Sequence, residues 1–319
     1  MSEVFESICR MSQQALKSYV GIKLLETHAD VVTGDGFVYA QGKFPVLLVA
    51  HLDTVHKNLP NDIIYNTYTK EYSSPNGIGG DDRCGVYMIL EIIKKYNCSV
   101  LFCEDEESGA VGAKKFTQTE LSKNLSFNYI IEFDRQGKND AVFYWCANDE
   151  FEKFITKEHF KTAYGTFSDI SVIAPHLGCA AVNLSCGYYK AHTTDEYVIF
   201  SQMERNIGAA CNILERTEDG VKFEYVEASY GGRYGSYGGY GRAYSYDDYY
   251  GYNDYRYDEE NYYVFEYADA NGKTQWYDLQ ASSYEEAVGK FCIENPSVPY
   301  DSIIGVDAYS ADEETIGWR

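Results

Sequence analysis

The sequence has few basic residues relative to acidic ones, and it lacks any apolar run long enough to cross a membrane. Its 319 residues include 27 Lys and Arg against 49 Asp and Glu, which gives a formal net charge of −22. An acidic surface repels phosphate backbones and anionic lipids, and a transmembrane helix needs about 18 apolar residues in succession. We therefore expect neither nucleic acid nor a membrane as a partner.

Paired cysteines and the features of a signal peptide are also missing. The nine cysteines, an odd number, include no Cys-x-x-Cys pair, which is typical of reduced thiols rather than of a disulfide framework or a zinc ribbon. The opening stretch MSEVFESICRMSQQALKSYV carries acids and glutamines, where a signal peptide would have a basic end and then an apolar stretch. These absences predict a cytoplasmic protein.

Residues 1–220 alternate short apolar runs with helical patterns. We predict strands over 46–53, 99–105, 128–134, 141–145 and 179–185. Helices are predicted in the N-terminal segment and over 85–96, 109–118, 149–160 and 195–217. This alternation is typical of an α/β three-layer sandwich with a mostly parallel central sheet. In such sheets, functional sites lie where the strands end and the loops begin.

The composition changes after residue 220. Residues 225–260 are rich in Tyr, Gly and Asp and have almost no aliphatic residues, which predicts a disordered linker. Its interleaved Tyr and Arg also suit self-association or binding of a protein partner through stacking and cation–π contacts. Residues 261–319 predict a small α+β module of unknown role: a hairpin around Asn271-Gly272, a short helix and a further strand.

Histidines and acids recur at the ends of the predicted strands or at the starts of helices. They lie in the segments AHLDTV (His51, Asp53), GGDDRCG (Asp81, Asp82), DEESG (Glu106, Glu107), IEFD (Asp134) and AHTTDEY (His192). Taken singly, each is typical of a solvated loop residue or a helix cap. Taken together, they offer the imidazole and carboxylate ligands that a catalytic zinc site uses. Two metals that share one carboxylate need about five such side chains.

These five segments, in this order, resemble the co-catalytic zinc exopeptidases, which include peptidase T-like tripeptidases and metal-dependent aminopeptidases. The resemblance covers about residues 45–215. It implies one metal held by His51, Asp81 and Asp134, and a second held by Asp81, Glu107 and His192. Asp81 is then the bridging ligand rather than Asp82, because the family's bridging Asp precedes a helix glycine by four residues, here Gly85.

The resemblance also implies a mechanism. Asp53 would orient His51 through its second ring nitrogen, and Glu106 would act as the general base toward a water that bridges the two metals. The cofactors would be two divalent ions, with Zn²⁺ as the family's default and Co²⁺ or Mn²⁺ as alternatives. The implied activity is a metallo-exopeptidase that cleaves amide bonds of short peptides, in first place an aminopeptidase.

Two alternatives remain open at this point. A deacylase of N-acylated small molecules or a deconjugating peptidase would use the same metal centre. A metal-binding interaction protein without turnover is the other alternative, and the Glu106-Glu107 pair argues against it, since a purely structural metal site needs no general base.

The sequence departs from its family in length and leaves three further residues ambiguous. Only 57 residues separate Asp134 from His192, too few for the lid domain of peptidase T-like enzymes. Ser168 and Asp169, in GTFSDISVI, are interpreted either as substrate-binding residues or as a helix cap. Arg135 is interpreted either as a partner for a substrate carboxylate or as half of a structural ion pair. His56 is interpreted as a loop histidine.

Overall fold

The computed structural model describes residues 2–217, 221–228, 261–268, 273–281 and 303–309, together with Ala287, Phe291, Asn295 and Val298. These residues form two compact units, one that runs to residue 228 and one that starts at residue 261. Residues 229–260, most of the predicted tyrosine-rich linker, lie outside the described residues, and so does the self-association or partner binding predicted for it.

The first unit alternates helices with strands, as the sequence predicts. Its helices are α1 (Glu3–Cys9), α2 (Gln13–Leu25), α3 (Gly80–Ile92), α4 (Val111–Thr117), α5 (Asp149–Thr156), α6 (Ile170–Leu177) and α7 (Phe200–Glu215). Its first six strands are β1 (Val31–Gly34), β2 (Phe37–Ala40), β3 (Phe44–His51), β4 (Ile64–Asn66), β5 (Glu71–Ser73) and β6 (Cys98–Cys103). The remaining six are β7 (Tyr129–Arg135), β8 (Asp140–Val142), β9 (Lys161–Ala163), β10 (Ala181–Ser185), β11 (Tyr188–Tyr189) and β12 (Tyr197–Ile199).

The central sheet has eight strands in the order β1-β2-β6-β3-β7-β10-β8-β9. The middle of the sheet, β6-β3-β7-β10, is parallel throughout, and antiparallel pairs occur toward its two edges. Strands buried on both faces read as continuous apolar runs, which is how 46–50 reads in β3. The predicted fold class, an α/β architecture with a mostly parallel central sheet, is confirmed.

Helices cover both faces of this sheet. Along β3, Leu48 and Ala50 pack into one hydrophobic cluster, whereas Leu47 and Val49 pack into a second. Residues of α1, α2, α3, α5 and α7 belong to the first cluster, and residues of α4 and α6 belong to the second. Because successive strand residues face opposite sides, one strand supplies both cores. The architecture therefore has the predicted three layers.

Two features differ from the sequence-based expectation. A small second sheet, β11-β12-β5-β4, was not predicted, because strands of two or three residues are too short to show a period. The helix predicted over 195–217 begins only at Phe200, and residues 197–199 instead form β12. The reason is local: Val198 is buried and pairs with Tyr72 of β5, and Tyr, Val and Ile favour extended backbone.

The end of the first unit also extends past the predicted boundary at residue 220. Glu224 and Glu227 form β-bridges with Cys179 and Cys146, and Phe223 packs on the aromatic rings of α5. Residues 225–228, the predicted start of the linker, thus lie along the first unit. Among the described residues, no helix combines the length and the apolar character that a membrane crossing requires.

The second unit contains a three-stranded antiparallel sheet in the order β14-β13-β15. These strands are β13 (Asn261–Ala268), β14 (Thr274–Ala281) and β15 (Ile303–Tyr309). Its core includes Tyr263, Phe265, Ala287 and Phe291, and the rings of Phe265 and Phe291 stack at 4.3 Å. Ala287 and Phe291 both have helical backbone, and both side chains lie in this core.

Candidate metal centre

Three neighbouring strands deliver polar side chains to one edge of the central sheet. His51 is the last residue of β3, Asp134 lies near the end of β7, and β6 leads directly into the loop that carries Glu106 and Glu107. Since β6, β3 and β7 are adjacent and parallel, their carboxyl ends meet at the same edge. The topology therefore brings together residues that are far apart in sequence.

The start of α3 supplies the next ligand candidate. Asp81 has extended dihedral angles, and the Asp81–Asp82 peptide bond is cis. Four residues after Asp81, a side chain on Gly85 would place its Cβ 1.9 Å from the carbonyl oxygen of Phe133 in β7. Only glycine allows α3 to approach β7 this closely, and this contact fixes Asp81 beside the end of β3.

The five predicted ligands fall into two groups that share Asp81. His51 Nε2 lies 3.0 Å from Asp81 Oδ1 and 3.4 Å from Asp134 Oδ1. His192 Nε2 lies 3.1 Å from Asp81 Oδ2 and 3.0 Å from Glu107 Oε1. Within each group of three residues, the candidate ligand atoms all lie within 4.8 Å of one another. These are the two sets that the family resemblance implies.

Burial and charge dominate the electrostatics of this cluster. Burial raises the pKa of Glu106 to about 9, and neighbouring carboxylates add to the effect. Burial and the Asp81 carboxylate likewise raise the pKa of Asp134. Burial opposes the charged form of His192, but the neighbouring Asp81 and Glu107 carboxylates outweigh this and raise its pKa to about 11. The metal-free site therefore holds protons at neutral pH.

The donor set fits a pair of divalent cations. Glu107 Oε1 is buried and lies 3.0 Å from His192 Nε2, yet the two atoms do not have hydrogen-bond geometry. Both atoms belong to the group whose ligand atoms all lie within 4.8 Å of one another, a separation that suits a shared cation. The cluster also holds several buried carboxylates, which are costly without positive charge nearby. Imidazole and carboxylate are the ligands that zinc takes in catalytic sites.

The Asp53 carboxylate bonds both to His51 and to the backbone of the Glu106-Glu107 pair. Its Oδ1 accepts a hydrogen bond from His51 Nδ1 (3.2 Å) and one from the backbone N–H of Glu106 (3.0 Å), and its Oδ2 accepts one from the backbone N–H of Glu107 (3.0 Å). Burial opposes ionisation of Asp53, but its bonds to His51 outweigh this and lower its pKa. One carboxylate thus orients the His51 ring and the Glu106-Glu107 backbone.

Asp82 points away from the candidate ligand groups. It is fully buried, and its carboxylate accepts hydrogen bonds from the backbone N–H of His51 (3.2 Å) and of Gly85 (2.9 Å). Burial raises its pKa well above the usual range. Neither oxygen contributes to a candidate metal group. Of the Asp81-Asp82 pair, Asp81 is therefore the residue that faces His51 Nε2 and His192.

Asp134 contacts the buried hydroxyl of Ser168, which also contacts Glu132, an acid that the sequence does not mark as part of the site. Ser168 Oγ lies 3.0 Å from Asp134 Oδ2 and 2.6 Å from Glu132 Oε2. A hydroxyl has only one proton to donate, so the two acids compete for the Ser168 donor. Burial raises the pKa of Glu132 well above its usual range, and it also raises the pKa of Asp134. The available signal was an acid inside the apolar strand NYIIEFD.

Ser168 and Asp169 do not line an open surface. Both side chains are fully buried. Asp169 occupies the cap position of α6, but its side chain makes no capping hydrogen bond. Its carboxylate has no hydrogen-bond partner by distance and angle, although the Cys103 thiol is a close neighbour that affects its ionisation. Asp169 thus occupies the cap position that the sequence predicts but makes no capping bond, and its role in substrate binding stays a prediction.

Arg135 lies beside an acid of the same sheet. Its Nε and Nη2 atoms both lie 3.4 Å from Asp140 Oδ2. This geometry matches the structural ion pair, one of the two interpretations that the sequence allows for Arg135. His56 is not part of any candidate metal group among the described residues, and it contacts Glu196 instead.

Comparisons with known proteins agree with the fold and the enzyme class. Residues 38–175 match the family model of peptidase family M28, a stretch that includes every predicted ligand except His192. No curated protein matches the chain in sequence. The match confirms the predicted resemblance to the co-catalytic metallo-exopeptidases, and the enzyme class is that of a metallo-exopeptidase.

Solved structures show the same fold. Aminopeptidase PepT from Bacillus cereus is 14% identical with a TM-score of 0.55, over 66% of this chain and 96% of that one. A tripeptidase from Staphylococcus aureus is 13% identical with a TM-score of 0.53, over the same shares of the two chains. A TET aminopeptidase from a marine sediment archaeon (Thaumarchaeota) is 12% identical with a TM-score of 0.52, over 69% of this chain and 98% of that one.

Proposed function

We propose that the protein is an aminopeptidase that removes N-terminal residues from short peptides with the help of two divalent cations, in first place Zn²⁺. The observation that carries the proposal is the pair of ligand groups that share Asp81, with the Glu106 carboxyl buried beside them. His51, Asp81 and Asp134 would hold one ion, and Asp81, Glu107 and His192 would hold the other. A shared carboxylate places two cations close enough to act on one reacting group.

Two such cations, when bound, would lower the pKa of the attacking water and polarise the scissile carbonyl. Glu106 takes a proton from the attacking water and returns it to the amine that leaves, as a general base and then a general acid. Its raised pKa in the metal-free protein falls once positive charge is nearby, so it starts the reaction as a carboxylate. Asp53 keeps the Nδ1 proton on His51, which leaves Nε2 free to face the metal.

The substrate class rests on the comparisons. The family match is to peptidases, and the proteins of similar fold are an aminopeptidase and a tripeptidase. The side chain of His192 is 38% exposed, so the site opens to solvent beside one ligand pair and a peptide end can reach it. These points favour free peptides over N-acylated small molecules.

The test compares the wild-type protein with Glu106→Gln, and uses Glu120→Gln, an exposed glutamate that pairs with Lys123, as a control. We expect about two metals per chain in all three proteins. Turnover of peptides with free N-termini should fall by about 10²- to 10⁴-fold in Glu106→Gln alone. Metal content is measured by elemental analysis, and cleavage is measured on a panel of free and N-blocked peptides.

Wild-type turnover in Glu106→Gln would refute the role of the base. Cleavage restricted to N-blocked substrates would refute the aminopeptidase and support a deacylase. Two bound metals without turnover on any substrate would refute the catalytic proposal altogether.

A further inference from the structure

The buried acid Glu196 contacts the backbone of Asp81, although the two residues are 115 positions apart in sequence. Glu196 is fully buried in the loop between β11 and β12, four residues after His192. Its Oε1 accepts a hydrogen bond from the backbone N–H of Asp81 (3.0 Å). Its Oε2 accepts one from the backbone N–H of Gly79 (2.7 Å) and one from His56 Nε2 (2.8 Å). A buried carboxylate with three donors is well satisfied.

The segment that Glu196 contacts needs such an acceptor. Gly79 has a left-handed backbone, with φ of +69°, and Asp81 is extended. A Cβ on Gly80 would lie 2.8 Å from side-chain atoms of Tyr188 and Val198, so this glycine allows the close approach of the second sheet. Backbone N–H groups in an irregular segment have no ladder partner, and a buried N–H without an acceptor is costly. Glu196 accepts from two of them.

His56 completes the arrangement. Its ring packs against Gly77, where a Cβ would lie 2.2 Å from His56 Cε1, and its Nε2 reaches Glu196. The imidazole donor therefore fixes the Glu196 carboxylate in one orientation, with Oε1 toward Asp81. The sequence alone predicts a loop position for His56 and no role for Glu196.

We propose that Glu196 is a positioning residue that fixes the backbone of Asp81, so that the two Asp81 oxygens face both metal positions, and that His56 orients Glu196. The inference rests on the proposed function, in which Asp81 is the ligand shared by the two ions. Glu196 and His192 lie on the same loop, so one buried contact sets the positions of two ligands. Partners of this kind, behind the ligands, commonly change metal affinity when they are substituted.

The test is Glu196→Gln, with Asp195→Asn as the matched control. The Gln side chain keeps the size of Glu, but its amide nitrogen must face one of the backbone N–H groups as a second donor. Asp195 is the exposed neighbour in the same loop, so its substitution removes the same charge without touching Asp81. Zn²⁺ is titrated into each metal-free protein against a competing chelator, and the melting temperature of the metal-free proteins is recorded.

We expect Glu196→Gln to bind Zn²⁺ about 10- to 100-fold more weakly than the wild type, and Asp195→Asn to bind it equally well. Turnover of Glu196→Gln should recover at saturating Zn²⁺ with KM unchanged, because the defect lies in metal affinity. A wild-type Zn²⁺ affinity in Glu196→Gln would overturn the proposal, and so would a turnover defect that saturating Zn²⁺ does not correct.

If Glu196→Gln does not fold, the Zn²⁺ affinity of His56→Phe tests the proposal instead. This variant keeps a ring against Gly77 and removes only the donor to Glu196. Weaker Zn²⁺ binding by a folded His56→Phe protein supports the proposal, and unchanged binding overturns it. The same measurements distinguish a failure of the proposed function from a failure of the role of Glu196. If the wild type itself binds no Zn²⁺, the proposed function fails, whereas equal binding by wild type and variants defeats only the role of Glu196.

Discussion

Replacing Asp169 with Asn should change how the stability of the metal-free protein depends on pH. Asp169 is fully buried, and the Cys103 thiol beside it is a weak donor that offsets the effect of burial only in part. Burial raises its pKa to about 7 from the usual 3.8. Each pH unit of such a difference is worth 1.36 kcal/mol, so the ionised form costs the folded protein about 4 kcal/mol.

The direction follows from which state holds the proton. Below pH 3.8 the carboxyl is protonated in the folded and unfolded chains alike, and Asp169 costs nothing. Between pH 3.8 and about 7 the unfolded chain ionises first, so the wild type loses stability as the pH rises. Above about 7 the loss is complete and constant. Asn has no proton to lose, so the variant lacks this part of the pH dependence.

The assay is urea unfolding with a chelator present, at pH 5, 6, 7 and 8, analysed by linear extrapolation. The free energy of unfolding of Asp169→Asn minus that of the wild type should rise by about 2 to 3 kcal/mol from pH 5 to pH 7, then stay level. Groups that titrate in both proteins cancel in this difference. A difference that does not vary with pH would refute the conclusion that burial raises the pKa of Asp169.

Two further predictions concern the site. In Asp53→Asn an amide nitrogen must face His51 or one of the two backbone N–H groups now bonded to the carboxylate. Zn²⁺ affinity and turnover should therefore each fall by about 10- to 100-fold. Unchanged values in a chelator-competition titration and in a peptide assay would contradict the orienting role of Asp53. Zn²⁺ affinity of the wild type should rise from pH 6 to pH 8, because His192, with a pKa of about 11, and Glu106, with a pKa of about 9, release protons on binding. Calorimetry in two buffers of different ionisation enthalpy counts those protons, and an affinity independent of pH would contradict the expectation.

Much of the fold and of the candidate site could be predicted because their signals are local. The apolar run that ends in His51 marks a strand on its own, and so does the run that ends in Asp134. Once the central strands are parallel, their carboxyl ends lie at one edge, so the polar residues after each run come together without further information. This is why the sequence suffices to group His51, Asp134 and Glu107.

Other features depend on contacts that no local pattern reveals. Glu196 bonds the backbone of Asp81 across 115 positions, and only the folded chain brings those segments together. Asp169 resembles a helix cap in sequence, but its side chain turns into the protein. In β12, three residues at the start of an apparent helical pattern become a strand because Tyr72 offers a pairing partner. In each case a tertiary contact outweighs the local preference.

The bonds to Asp53 have a consequence for how the site moves. His51 and the Glu106-Glu107 backbone are attached to the same carboxylate, so a displacement at the end of β3 carries the loop after β6 with it. The distance between a metal ligand and the general base then fluctuates less than the position of either one. Catalysis depends on relative positions, and a shift of about 1 Å between reacting groups can cost about 10²-fold in rate. The site can therefore tolerate thermal motion of the sheet edge as a whole, provided that its parts move together.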